Sequence, residues 1–340
     1  MKALANALAL WTICVGFAAA RGAAIARQAQ TVPGEAVAAG SQTPAARLTL
    51  DASIVTVDAL VTEKSGRVVQ GLKSENFLVY DNGVPQTVVS LAPASEPMTV
   101  VILMEFSSGS YGYFAARAAS WSYSFLDYLE PPDWAALVTF DMRPKVQVDF
   151  TRNRAEIRDA LSTVARPSFR ETNLYDAVIE TLEMLDRVAG KKSILLVATG
   201  ANTFSSSTLD DVIKRLRRTD TTIFCVGLAE IDAVRSTSPG TGYLQAQNAL
   251  RTFAKMTGGL AMFPRFETEL PDIFRSVIGF ERNEYSLSFK IPQSARDGRY
   301  HRLRVEVVGA DGKPLQVADD KGRRRPVEVY ARQGYTAPRQ

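Results

Sequence analysis

Thr99-Val100-Val101-Ile102-Leu103-Met104 places five apolar side chains in an unbroken row after a threonine, so a strand made from it must be covered on both faces. Such strands sit inside parallel sheets that carry helices on each side. This one runs directly into Glu105-Phe106-Ser107-Ser108-Gly109-Ser110. A carboxylate and several hydroxyls are thereby delivered to the sheet rim, where open α/β folds build their binding crevices.

Two later segments are suited to meet that rim. Thr172-Asn173-Leu174-Tyr175-Asp176-Ala177 sets a hydroxyl just ahead of a helix start, and Val197-Ala198-Thr199-Gly200 ends the apolar run Ile194-Leu195-Leu196. In order and spacing the three segments together resemble the von Willebrand factor type A domain and its metal-ion-dependent adhesion site. The family pattern is Asp-x-Ser-x-Ser, then a distant Thr, then an Asp before a Gly. Here Glu105 stands for the first Asp, Ser107 matches the first Ser and Gly109 replaces the second. Thr172 matches the Thr, and Thr199 replaces the second Asp.

The resemblance implies a doubly wound, mostly parallel sheet with helices on both faces. It also implies a partner-binding rim of Glu105, Ser107, Ser108, Ser110, Thr172 and Thr199. In an intact site of this family a cation held by protein hydroxyls leaves one position open for an acidic side chain of a partner. Glu105, Ser107 and Thr172 are the metal candidates here, for Mg²⁺ or Mn²⁺. A small octahedral cation wants oxygens at about 2.0–2.1 Å and carboxylates to offset its dehydration. With one carboxylate lost, the expectation is a degenerate site with weak or no metal binding, so no cofactor is expected. Asp141 and Asp176 are further carboxylates near the rim. The first reads as a turn residue and the second as a charge in a first helical turn, where the helix dipole favours it.

Residues 98–281 alternate strand-like and helix-like stretches. Strands are expected at 99–106, 134–140, 145–150, 193–198, 222–228 and 260–263, and helices at 112–130, 153–162, 174–189, 208–218, 244–256 and 268–279. Asn173 and Thr208 offer N-terminal capping chemistry. The short connection through Pro144 predicts an antiparallel edge strand. Before this region, residues 48–92 alternate apolar and polar side chains around the turn Asp81-Asn82-Gly83, and alternation returns over 283–335. Each segment is too small to bury a good core alone, so the two are expected to pair into one sandwich-like unit. The wider layout resembles a group of exported von Willebrand type A-related proteins common in acidobacteria. That likeness rests on Val57-Asp58-Ala59-Leu60-Val61-Thr62, the stretch from Gly71 to Gly83, and Ala331-Arg332-Gln333-Gly334-Tyr335.

Met1-Lys2, the apolar stretch from Leu4 to Phe17 and Ala18-Ala19-Ala20 form the pattern of a secretory signal over residues 1–26, with cleavage after Ala20 or Ala26. The apolar stretch is shorter than the roughly 20 residues a membrane span needs. An exported protein, periplasmic or extracellular, with no integral span after cleavage is expected; a retained anchor is the alternative. Residues 27–47 have the composition of a flexible linker. Once the signal is removed Cys225 stands alone, which excludes an internal disulfide and reads as a buried strand thiol.

One histidine and one mature cysteine cannot supply a tetrahedral zinc site. His301 lies far in sequence from the serines, no Gly-x-Ser-x-Gly elbow occurs, and the histidine reads as a surface residue. Net charge is +4 over 340 residues and only Lys321-Gly322-Arg323-Arg324-Arg325 forms a basic run, without interleaved aromatics, so nucleic acid is not an expected partner. These exclusions leave a non-enzymatic, adhesion-type module that binds a protein partner. A structural or assembly component of the cell envelope is the alternative, and a metal-dependent adhesin with an intact site ranks below both. The aromatics Tyr111, Tyr113, Phe114, Trp121, Tyr123, Phe125 and Tyr128 are expected to pack the first helix, with Tyr111 and Tyr113 as possible anchors beside the rim.

Overall fold

All eight residues of β5 (Met98–Glu105) are buried, and the rest of the central layer is arranged around that strand. The computed structural model describes residues 54–93, 96–107, 125–163, 169–228 and 241–339. β5 pairs in parallel with β6 (Trp134–Phe140) on one flank and with β8 (Lys191–Ala198) on the other. β7 (Pro144–Thr151) closes one edge antiparallel to β6, as the short Pro144 connection required. β9 (Thr222–Gly227) and the two-residue β10 (Ala261–Met262) complete the order β10-β9-β8-β5-β6-β7.

The strict alternation of β5 divides the core in two. Val100, Ile102 and Met104 pack with Leu137, Phe224 and helix α5 (Leu270–Arg282). Val101 and Leu103 face the opposite layer of α2 (Leu174–Leu185), α3 (Leu209–Leu216) and α4 (Thr241–Thr257). Helix α1 (Arg154–Thr163) buries Ile157 and Leu161 on the first of these faces. The doubly wound sheet expected from the sequence is the one that forms. Thr208 caps α3 in a reciprocal box with Asp211, while the helix expected at 112–130 falls almost wholly outside the described residues.

The segments on either side of this layer form two four-stranded antiparallel sheets. One has the order β15-β1-β11-β4 and uses β1 (Ile54–Thr62), β4 (Val88–Pro93), β11 (Tyr285–Lys290) and β15 (Glu328–Ala331). The other, β16-β12-β2-β3, uses β2 (Phe77–Asp81), β3 (Val84–Gln86), β12 (Tyr300–Val307) and β16 (Gly334–Thr336). A small hairpin, β13 (Gln316–Ala318) with β14 (Arg324–Pro326), holds the basic run on exposed positions. Val57, Val61, Val79, Leu287, Phe289 and Leu303 fill the space between the two sheets. Asn82 and Gly83 both take positive φ, 49° and 84°, as the two-residue hairpin turn between β2 and β3 demands.

His301 corrects the sequence reading. Rather than lying at the surface it is buried, with Nδ1 2.9 Å from Asp81 Oδ1 and Nε2 3.3 Å from Asp297 Oδ1. Tyr335 donates its hydroxyl to Asp81 Oδ2 at 3.0 Å. The alternation of β12 placed position 301 on an inward face, and Asp81, 220 residues earlier, supplied a partner that chain spacing could not reveal. A buried carboxylate is tolerated only when its oxygens are bonded in this way.

The two units meet through a second buried polar group. Lys191 Nζ donates to Glu284 Oε2 at 2.6 Å and to the Glu281 carbonyl, and all three residues are largely withdrawn from water. Burial pushes the Glu284 carboxyl up to about 8, against the pull of Lys191 and with the added push of Asp58. Burial raises Glu281 as well. An unfolded glutamate ionises near about 4.3, so above that pH the unfolded chain sheds protons that the folded chain keeps. Stability is therefore expected to be full in mild acid and to fall as pH rises from about 4.5 toward about 8. Urea midpoints at pH 5 and pH 8 check this, and Glu284→Gln should flatten the slope.

Candidate functional site

Chain winding selects the place. After β5 the chain adds β6 and β7 on one side, then crosses back to add β8, β9 and β10 on the other, so the strand order reverses between β5 and β8. Ligand crevices of open α/β sheets form at the carboxyl ends of the strands flanking such a reversal. Here those ends are Glu105 and Ala198-Thr199.

Glu105 spans the gap. Thr199 donates to Glu105 Oε2 through both its backbone N–H and its Oγ1, each at 2.7 Å, and Ser107 Oγ donates to Oε1 at 2.9 Å. Met104 lies level with Val197, so Thr199 stands just past its neighbour's strand end, and the extra methylene of a glutamate provides the reach. Glu105 and Ser107 are each only 2% exposed. Gly200 turns the chain immediately afterwards with φ of 85°. A Cβ there would meet the Ala246 carbonyl oxygen of α4 at 2.6 Å, so only glycine fits.

Main-chain bonds close a ring around this carboxylate. Phe106 N donates to Phe140 O at 2.7 Å and Asn173 N to Asp141 O at 2.8 Å, linking the ends of β5 and β6 to the segment before α2. Thr203 N and Phe204 N both donate to Thr172 O, and Thr172 N donates to Thr203 Oγ1 at 2.9 Å. Four loops are thus held to one another at the carboxyl edge, with Thr172 and Asn173 buried among them. Thr172 Oγ1 is buried and finds no hydrogen-bond partner among the described residues.

Asn173 does not cap α2. Its side chain donates instead to Met142 O at 2.9 Å, and the first turn of the helix is capped from the loop after β8, where Ser205 Oγ and Asn202 Oδ1 accept from Tyr175 N. Asp176 accepts from Ser206 N at 2.8 Å and Ser207 N at 2.9 Å. Partial burial alone would raise its carboxyl, yet these bonds outweigh it and hold Asp176 below the usual carboxylate range. Asp141 Oδ1 accepts from Met142 N at 2.6 Å and closes its own turn. Ser108 and Ser110, with Tyr111 and Tyr113, lie outside the described residues.

The same edge carries apolar side chains that a search for hydroxyls and carboxylates overlooks. Phe169 is 48% exposed, Phe204 51%, Leu209 37% and Leu244 62%. They belong to the loop before Thr172, the loop after β8, the start of α3 and the first turn of α4, all of which open on the carboxyl ends of the strands. Their sequence signal was present: Phe169 and Phe204 stand in polar loops, outside any pattern that would bury them.

Glu105, Ser107 and Thr172 are the described residues placed to hold a divalent cation, and the buried Thr172 hydroxyl has no hydrogen-bond partner among the described residues. The Glu105 carboxylate accepts three hydrogen bonds, from Ser107 and Thr199. Among the described residues no three His, Cys, Asp or Glu side chains form a group able to hold a metal ion. Cys225 is fully buried in β9, and burial raises its thiol far above the usual range. Glu105→Gln should cost about 1–3 kcal/mol in urea unfolding, because an amide group then faces a donor. Thr172→Val, which removes an unpartnered hydroxyl, should be neutral or slightly stabilising.

Residues 100–275 match the sequence model of the von Willebrand factor type A domain. No curated protein matches the chain. Among solved structures, a von Willebrand factor type A protein from Catenulispora acidiphila is similar at 14% identity, over 76% of this chain and 73% of that one, with a TM-score of 0.45. Proximal thread matrix protein 1 from the mussel byssus, with zinc in its adhesion-site motif, is similar at 16% identity over 59% of this chain and 50% of that one, TM-score 0.43. The vWF domain of the type V pili tip protein Mfa5 from Porphyromonas gingivalis is similar at 13% identity over 54% of this chain and 95% of that one, TM-score 0.42. The chain therefore spans half the length of the mussel protein.

Proposed function

The chain belongs to the von Willebrand factor type A family, and from that premise we propose that it is an exported, non-catalytic module that grips a protein partner through the rim at the carboxyl edge of its central sheet. The observation that carries this reading is the exposure of Phe169, Phe204, Leu209 and Leu244 around a crevice whose carboxylate is already bonded to Ser107 and Thr199. Apolar side chains that the fold leaves in water supply the contact area on which protein recognition depends. Ser107, Thr172 and Thr199 hold the crevice floor, and Ser108 and Ser110, outside the described residues, count with them as partner-binding residues.

Domains of this family can hold a metal, as the zinc-bearing mussel structure does. In this chain Glu105, Ser107 and Thr172 would be the ligands of any cation, with a single negative charge among them. Weak or no binding of Mg²⁺ or Mn²⁺ follows, and recognition proceeds without it. Residues 1–26 serve as the signal and 27–47 as the linker, while 48–92 and 283–335 act as one unit that carries the central domain of 98–281. Among the described residues no helix is long and apolar enough to cross a membrane.

Two measurements test the proposal. Millimolar Mg²⁺ or Mn²⁺ should leave the melting temperature unchanged; a clear rise that disappears in Glu105→Ala would establish a working metal site instead. Pull-down from the native envelope should recover the same partner with Mg²⁺ and with chelator. Phe204→Asp and Phe169→Asp should each weaken that capture by about tenfold or more while the protein stays folded. Capture that survives both substitutions moves the partner surface away from this rim.

A further inference from the structure

Two open strand edges meet at the opposite end of the central sheet. β10 is the outermost strand of that sheet, and β15 is the outermost strand of the sheet built on β1; the β15 edge is bridged past its end, where Thr257 pairs with Arg332 and Gln333 N donates to Met256 O, and carries no strand over residues 328–330. β12 keeps β16 as a neighbour only as far as Arg302, so from Leu303 onward it has β2 on one flank and no strand on the other. The seam between β12 and β15 is pinned at both ends. Leu303 N donates to Gln333 O at one, and at the other Leu315 bridges the two sides, donating to Val307 O and accepting from Val327 N. Edge strands present alternate peptide groups outward, ready to pair with another chain.

A cavity of about 520 Å³ lies along this seam. Leu260, Ala261, Val305, Val329 and Ala331 give it apolar walls. Its charged lining is of one sign: Arg251, Lys255, Arg304 and Arg332, with no Asp or Glu among the lining residues. Arg332 is half-buried; its guanidinium donates to the main-chain carbonyls of Thr219 and Gly334, and the Asp220 and Asp58 carboxylates lie close enough to act on its charge. Arg251 stacks on Phe263 at 4.3 Å, and neither it nor the exposed Lys255 has a carboxylate partner among the described residues. Arg304 alone is paired, with Glu306.

From this juxtaposition we infer that the seam between β10, β12 and β15 is a docking site for an extended acidic segment of a protein partner, which adds as a strand along the open edge of β15. Successive side chains of an added strand point to opposite faces. One row therefore rests on Leu260, Val305 and Val329 while the other carries carboxylates to Arg251 and Lys255. The site is separate from the rim of the proposed function, lies at the amino end of the central sheet, and stands or falls without it.

The test uses the full chain and a fluorescein-labelled decapeptide of alternating Val and Glu, read by anisotropy. The Val-Glu peptide should bind at least about tenfold more tightly than a Val-Lys decapeptide, and binding should weaken with added salt. R251E combined with K255E, both exposed positions, should weaken it by about tenfold or more with the melting temperature unchanged. Methylating one alternate set of the peptide's backbone nitrogens should abolish binding and methylating the other set should not, because only the N–H groups facing β15 take part in strand addition. Phe204→Asp at the rim should change nothing. The inference is overturned if the acidic peptide does not bind, if it and the Val-Lys peptide bind equally, if R251E/K255E leaves the affinity intact, or if the two methylated peptides bind alike. Loss of binding in Phe204→Asp would also overturn it, by placing the peptide at the rim.

Discussion

The bonds from Thr199 to the Glu105 carboxylate tie together the ends of two neighbouring strands at the point where the winding of the sheet reverses. A charge this deeply buried must be answered, and here the protein answers it with one backbone donor and two hydroxyls. That choice governs what the edge can do. The carboxylate becomes a brace between β5 and β8, and the loops carrying Thr172, Asp141 and Thr203 are fixed to one another through main-chain bonds.

Much of this arrangement was readable in the chain. The apolar runs of β5 and β8 could belong only to strands covered on both sides, and the alternation of apolar and helical segments determined the parallel layer. The capping box of α3 was legible because Thr208 and Asp211 are local partners. What escaped depended on contacts between distant residues. Nothing near Asn173 signals that the loop after β8 will cap its helix, and nothing near His301 signals the buried Asp81 carboxylate. Phe169 and Phe204 escaped for another reason: a motif defined by oxygen ligands directs the eye past the apolar side chains between them.

Polar burial recurs where the two units meet. Thr56, Asp58, Ser90, Ser286 and Ser288 turn small polar side chains from the sheet of β1, β11 and β4 toward Lys191 and Lys192 at the start of β8, around a cavity of about 480 Å³. Small residues on that face leave room for water, and the Lys191–Glu284 pair supplies a directional joint where apolar packing would have been indifferent to rotation.

The path of the chain through this joint has a mechanical meaning. The central layer leaves the flanking unit after β4 and returns to it at β11, and these two strands are hydrogen-bonded neighbours with Pro93 opposite Tyr285. Entry and exit are therefore side by side, at the end of the layer farthest from its crown. A tug applied to the crown reaches both connections together, so it loads β4 and β11 in the same direction instead of prising them apart.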